Sequence, residues 1–334
     1  MIKKFFLIFI AISILCNPLL SKDKIYKIAS IIYAKPFMAS LKGFKDGLKS
    51  IGYKKIKFYT FNINTNLKKI PEVLNKIYNL NVNLIFATTT PVNLALKKLL
   101  KKNIPVIFNE VADPVGCGLV KSLKSSKNNF TGVSHVAFTL LPKRLEIFKD
   151  MFPNIKNVDT FVNPHEQFLN KQVILLEKYK SYFNVNIIPL YVTNREEILY
   201  ILKNKKFNNE TDGIFMSAFA LPMANVDLLI RISHKNRIPL MVIDNIVLSK
   251  GGCVGYSPDF YSVGFQSAFI ADKIFKGANP SNIPIEYPEK INLIINMKEL
   301  KKTGIDYNRN YLIFANEIIK WNPQFFLKYF HLFF

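Results

Sequence analysis

NLIFATTTPVNLALKKLLKKNIPVIFNEV, residues 83–111, reads as strand, helix and strand in one unbroken unit. The opening run is short, apolar and rich in β-branched and aromatic residues, the signature of a buried strand. Thr88, Thr89 and Thr90 follow, then Pro91, then an amphipathic segment ending in lysines. Ile104-Pro105 closes it and a second apolar run begins. Strand–helix alternation of this kind implies a parallel sheet covered by helices. The three threonines have two compatible readings. They can cap the helix start, with Pro91 at its first position, or they can seat an anionic group at the positive end of the helix dipole.

The pattern recurs at residues 212–244, DGIFMSAFALPMANVDLLIRISHKNRIPLMVID, where Ile238-Pro239 again precedes a short apolar run. Working outward, IASII (28–32), KIKFYTF (55–61), VDTFVNP (158–164) and IIPLYVT (187–193) are further strands. Residues 37–51, with Phe37, Leu41, Phe44 and Leu48 at helical spacing, and residues 67–80 are helices. The halves align with a near-constant offset: Pro36 and Pro164 are 128 residues apart, Ile85 and Ile214 are 129. The expected fold class is therefore α/β, with two similar Rossmann-like lobes, each a parallel sheet covered by helices and joined to the other by a hinge.

Open parallel sheets bind ligands beyond the carboxyl ends of their strands. Two such lobes face to face direct six loops at one cleft: residues 33–37, 88–91, 110–114, 163–167, 217–222 and 244–245. The candidate ligand-binding residues on them are Tyr33, Lys35, Phe37, Thr88, Thr89, Thr90, Asp113, Asn163, Glu166, Ser217, Phe219 and Asp244.

Composition bounds the rest. The chain has 334 residues, enough for two cored lobes, and 49% are hydrophobic, too many for a disordered chain. Lys3 and Lys4 precede an apolar run from Phe5 to Leu15, and Ser21 follows. That layout predicts a signal peptide over residues 1–21 and a periplasmic or otherwise extracytoplasmic mature protein. The run is short for a permanent span. Cys16 offers a lipoprotein alternative, but Ser-Ile-Leu before it is a poor match to that site. Cys117 and Cys253 sit among glycines, which suits buried thiols, and two cysteines are no disulfide framework, though an oxidising compartment leaves a bridge open. The net charge is +23, yet the lysines are scattered through every segment and no base-reading motif accompanies them, so no nucleic-acid partner is expected.

Enzymatic signatures are missing. No GxGxxG follows the first strand, no GxxxxGK[ST] or GxSxG occurs, and His135, His165, His234 and His331 lack metal-ligand spacing. The expectation is a binding protein with no cofactor and no metal, not an enzyme.

Several stretches resemble the ABC-transporter substrate-binding proteins of the type I periplasmic fold, in the group associated with tryptophan and tyrosine uptake. They are GFKDGLKSIGY (43–53), LIFATTTP (84–91), IPVIFNEVADPVGCGLVKSL (104–123), NNFTGVS (128–134), SPDFYSVGFQSA (257–268) and residues 274–305. The resemblance spans Lys27 to about Ile305. It implies lobes over 22–137 plus about 258–280 and over 138–257 plus about 281–306, closing on a small solute for an ABC permease and its ATPase, with the binding protein a monomer. It also implies that Thr90-Pro91 and Asp113-Pro114 belong to pocket loops. A sensor docking on a membrane receptor shares the same fold and ligand, and the sequence does not separate the two. The chain departs from the family at Tyr33-Ala34-Lys35-Pro36, where an acidic residue or histidine is frequent before proline, and in the aromatic tail 307–334, for which the resemblance offers no counterpart.

An amino-acid ligand needs donors for its carboxylate, which Thr89, Thr90 and the helix start supply, and an acceptor for its ammonium, for which Asp113 is the first candidate. Tyr33, Phe37 or Phe219 would cover its side chain. Each has a structural alternative: Asp113 bonding its own turn before Pro114, Asn163 and Glu166 capping a helix, Asp244 holding a hinge turn, and Phe219 filling core.

Overall fold

The computed structural model describes residues 24–136, 138–165, 169–216, 220–243 and 245–320. The expected signal peptide with Cys16, together with Glu166, Ser217, Phe219 and Asp244, lies outside the described residues.

The first lobe is a parallel sheet of β1 (Tyr26–Ile32), β2 (Ile56–Asn62), β3 (Leu84–Thr88), β4 (Val106–Val111) and β5 (Phe130–Ser134), in the order β2-β1-β3-β4-β5. Every residue of β3 and β4 is buried, as expected of central strands covered on both faces, whereas edge strand β2 is half-exposed. Helices α1 (Met38–Ile51), α2 (Ile70–Leu80) and α3 (Thr90–Leu99) supply the crossovers. The quoted stretch is thus β3, α3 and β4.

The second lobe repeats the plan with β6 (Asn157–Val162), β7 (Asn186–Tyr191), β8 (Asp212–Phe215), β9 (Leu240–Val242) and β10 (Val254–Ser257). Their order, β7-β6-β8-β9-β10, is that of the first sheet five strands on. Its helices are α4 (Leu141–Met151), α5 (Leu169–Phe183), α6 (Arg195–Asn204), α7 (Ala220–Ala224), α8 (Val226–Asn236) and α9 (Asn245–Gly251). Beyond β10 the duplication ends.

The chain passes between lobes after β5 and again after β10, where α10 (Phe260–Phe275) returns to pack on α1. Those two helices touch backbone to backbone. A Cβ on Gly43 would lie 1.9 Å from the Tyr261 carbonyl oxygen, and one on Gly264 would lie 1.9 Å from that of Ser40. The return does not end with α10. The Glu286 N–H donates to Gly132 O and the Ser134 N–H donates to Glu286 O, extending the first sheet beyond β5. We therefore place the third crossing after Glu286 and not at about 280.

The chain then adds β11 (Asn292–Asn296), antiparallel to β10, followed by α11 (Met297–Thr303) and β12 (Glu317–Ile319). The start of the aromatic tail is consequently lobe structure. Tyr311 is buried, the Asn308 N–H donates to Met151 O, and β12 pairs with β11. Cys117 and Cys253 are both buried and free, so the bridge left open by the sequence is not formed. Burial pushes their thiols up, to about 11 and about 12. Among the described residues no helix is long and apolar enough to cross a membrane.

Candidate ligand-binding site

Where the carboxyl ends of the two sheets meet, a small cavity of about 20 Å³ lies between the lobes. That is room for about one water, so a larger occupant requires the lobes to part. The first lobe contributes Phe37, Thr89, Thr90, Pro91, Glu110, Ala112 and His135, and the second contributes Ala220, Met223 and Ile243. Phe260, at the second crossing, completes the wall 5.2 Å from the ring of Phe37. The lobes are in contact here, with α7 lying against the turn Lys35–Phe37.

The three threonines do three different things. The Thr88 hydroxyl accepts the Tyr33 N–H at 3.1 Å, tying the first strand-end loop to the third strand. The Thr90 hydroxyl accepts the Ala112 N–H at 3.4 Å. Thr89 is held at φ 71°, ψ 154°, a region used almost only by glycine. Its N–H donates to Asn109 O at 2.8 Å, while Asn93 Nδ2 donates to Thr89 O. Its side chain makes no capping bond to α3. With the residue only 2% exposed, the Thr89 hydroxyl is left without a hydrogen-bond partner at the cavity wall.

Glu110 also lines the cavity. The β4–β5 register shifts between Phe108 and Val111, and Glu110 takes φ 53°. A bulge of this kind re-aims a side chain, and the Glu110 side chain, 8% exposed, lines the cavity. Ser40 on α1 donates its hydroxyl to Glu110 Oε1. The glycine contact between α1 and α10 passes through Ser40, so the helix pair positions the carboxylate's partner.

His135, 3% exposed, stands 5.6 Å from Phe260 with its N–H donating to Val111 O. Burial, with Arg144 adding to it, holds the imidazole down to about pKa 3, so the ring is neutral. Its Nε2 is buried without a hydrogen-bond partner. Arg144, buried on α4, donates its Nε–H to Tyr256 O at 2.7 Å and is itself drawn down to about 9 by burial. Buried polar atoms are nearly always paired in native proteins. Two orphaned atoms on one cavity wall point to a polar occupant.

Of the candidates named from sequence, Phe37, Thr89 and Thr90 line the cavity. Thr88 and Tyr33 are buried behind it, the Tyr33 ring 6.2 Å from Phe37. Lys35 is exposed and outside the lining. Asp113 is also outside: its carboxylate accepts the Gly116 N–H at 2.9 Å, and a Cβ on Gly116 would come within 2.3 Å of it. Asn163 holds a turn by accepting the His165 N–H at 3.0 Å. Sequence reasoning missed Glu110, His135, Met223 and Phe260. Glu110 stood in a loop already singled out, but only the backbone turn distinguishes it from Asp113. No group of metal-ligating side chains occurs among the described residues.

Two lobes of this topology around a closed cleft define a periplasmic-type binding protein. The chain belongs to the ABC transporter substrate binding protein family, whose model matches residues 26–319 and so extends into the aromatic tail. It is 24% identical over 283 residues to a tyrosine-binding protein of Clostridioides difficile, covering 84% of this chain and 81% of that one. Among solved structures it resembles a conserved domain protein from Vibrio cholerae (TM-score 0.79, 22% identity, 88% of this chain and 100% of that one). It also resembles an ABC domain in complex with L-Trp from Streptococcus pneumoniae (TM-score 0.77, 21% identity, 89% and 100%).

Proposed function

We propose that this chain is the extracytoplasmic solute-binding component of an ABC importer and that it captures an aromatic amino acid by closing its lobes over it. The observation that carries the reading is the cavity between the sheet ends, where one carboxylate and two orphaned polar atoms face aromatic and aliphatic walls. Glu110 receives the ammonium, in place of Asp113. The Thr89 hydroxyl and the first turn of α3 receive the carboxylate, and the side chain lies among Phe37, Phe260, Met223 and Ile243. The ligands of a relative and of a structural neighbour, tyrosine and L-Trp, support the aromatic choice.

The energies suffice. Burying an aromatic side chain removes about 150–250 Å² from water, roughly 4–6 kcal/mol. A charge-assisted bond from the ammonium adds about 1.5–3 kcal/mol, and a helix start contributes up to ~2 kcal/mol in partly buried geometry. Micromolar binding needs about 8 kcal/mol. Closure is the hinge motion available to lobes joined by crossing segments.

The test is thermal unfolding of the purified protein against the twenty amino acids. A ligand present at a hundred times its Kd stabilises the folded state by about 2.7 kcal/mol. Tyrosine and tryptophan should raise the melting temperature by several degrees, and a panel without any shift would sink the proposal.

A further inference from the structure

We propose that the amino end of the first-lobe sheet docks on a membrane surface rich in anionic phospholipid, leaving the cleft, at the carboxyl end, turned away from the bilayer. The inference is independent of which ligand the cleft takes.

Lysines that are scattered along the sequence are gathered by the fold. Strands β1 to β5 run parallel, so the loops that precede them meet at one end of the sheet. Lys24 stands before β1, Lys54 and Lys55 before β2, Lys101 and Lys102 before β4, and Lys127 before β5. All six are exposed and lie outside any helix. None of them pairs with a carboxylate among the described residues. Lys24 lies over the Tyr26 ring at 5.7 Å and Lys102 over the Tyr78 ring at 5.1 Å, so rings rather than acids hold their stems.

Acids are also scarce around them. Residues 24–134 hold 19 lysines and four acids. Glu110 and Asp113 belong to the opposite, carboxyl end of β4. Glu72 sits in the first turn of α2, paired with Lys76, and Asp46 accepts the Tyr261 hydroxyl. Asp272 reaches the basic end from α10, where it accepts the Tyr53 hydroxyl, but Lys276 neutralises it at 2.7 Å. The helix dipole accounts for Lys97 and Lys98 in the last turn of α3 and falls off beyond that turn. Nor does the architecture demand such a surface. The same end of the duplicated lobe balances Lys149, Lys156 and Arg237 with Glu210, Asp212 and Asp306. Unbalanced cations spread over several loops suit an extended anionic surface, where each lysine raises partitioning roughly fivefold. The chain also enters the lobe at this end, shortly after the apolar run Phe5–Leu15 that is expected to meet the membrane first.

The experiment is co-sedimentation of the mature chain, residues 22–334, with phosphatidylcholine vesicles that contain either no anionic lipid or about 30 mol% phosphatidylglycerol. The anionic lipid should raise binding at least about tenfold, and about 0.5 M sodium chloride should remove most of that gain. Lys54→Glu, Lys55→Glu, Lys101→Glu and Lys127→Glu together should lower binding to the anionic vesicles at least about tenfold. The same change of charge on the second lobe, Lys156→Glu, Lys206→Glu, Lys290→Glu and Lys298→Glu, should lower it less than about threefold. All eight lysines are exposed, so both variants should keep the wild-type circular dichroism. Lys→Gln at the four first-lobe positions tests the surface without reversed charge and should lower binding at least about fivefold. Equal binding to both kinds of vesicle overturns the proposal. So does an equal loss in the two glutamate variants, which would make net charge alone responsible, or wild-type binding by the first-lobe variants.

Discussion

Replacing Thr89 with glycine should make the empty protein more stable and the ligand complex weaker. At φ 71°, ψ 154° the Thr89 backbone occupies a conformation that costs a side-chain-bearing residue about 1–3 kcal/mol. Its buried hydroxyl, without a partner, carries a desolvation penalty of about 1–3 kcal/mol. Thr89→Gly removes both. Against that, glycine widens the unfolded ensemble by about 0.4–1 kcal/mol, and the lost methyl forfeits ~0.8 kcal/mol of burial. The net gain is about 0–5 kcal/mol, which for a chain of this size is a rise of up to several degrees in melting temperature. The complex loses one hydrogen bond of about 0.5–1.5 kcal/mol, a fall in affinity of roughly two- to twelvefold. Thr89→Ala separates the contributions, because it keeps the Cβ and relieves only the hydroxyl. The assays are thermal unfolding without ligand and calorimetric titration with L-tyrosine. A glycine variant that melts below the wild type would refute the strain argument. An unchanged affinity would remove Thr89 from the ligand contacts.

Other perturbations separate support from contact. Asp113→Ala should cost ~1 kcal/mol of stability through the lost bond to the Gly116 N–H and shift affinity less than about threefold; a thirtyfold loss of ligand affinity would return Asp113 to the binding machinery. Gly264→Ala should destabilise by about 1–3 kcal/mol, because its Cβ would stand 1.9 Å from Ser40 O, and should also weaken ligand binding by displacing Ser40 from Glu110. Chemical denaturation and titration read the two effects, and a variant as stable as the wild type would show that the helices are not in that contact. The pH dependence has a definite sign at Asp159. Burial raises its carboxyl to about 6, from 3.8, against the opposing pull of Lys205 at 3.0 Å. As pH falls through 6 the folded chain takes up this proton before the unfolded chain does, so its contribution to stability grows from about pH 6 down to about pH 4 and is lost again as pH rises. The contribution is at most about 3 kcal/mol, and in Asp159→Asn that rise on acidification should vanish from melting curves taken between pH 4 and pH 7. A difference between the two proteins that ignores pH would refute the assignment.

The duplicated architecture was legible because it is written in periodicity and turn chemistry. Residues 83–111 and 212–244 carry the same apolar, helical and Ile-Pro signals and become matching βαβ units in matching sheet positions. Such local patterns do not reveal which acid of EVADP turns into the cleft. Glu110 and Asp113 are three residues apart, and the register shift between Phe108 and Val111, a tertiary property of the β4–β5 pair, aims the first at the cavity. His135 and Phe260 enter from crossing segments, whose neighbours across space leave no trace in their own sequence. The start of the aromatic tail, for which the resemblance offered no counterpart, is settled by tertiary contacts as well: Tyr311 is buried, its segment packs on α4, far away along the chain, and β12 pairs with β11. The three threonines read correctly as a strand-to-helix junction. Their separate duties, to Tyr33, to the cavity and to Ala112, depend on loops brought in by the first and fourth strands.

The most direct measurement is a crystal structure of the protein grown with L-tyrosine. The expected result is the amino acid between the lobes, its ammonium within hydrogen-bonding distance of Glu110 and its ring between Phe37 and Phe260. A tyrosine bound anywhere else, or one whose ammonium is held away from Glu110, would contradict it.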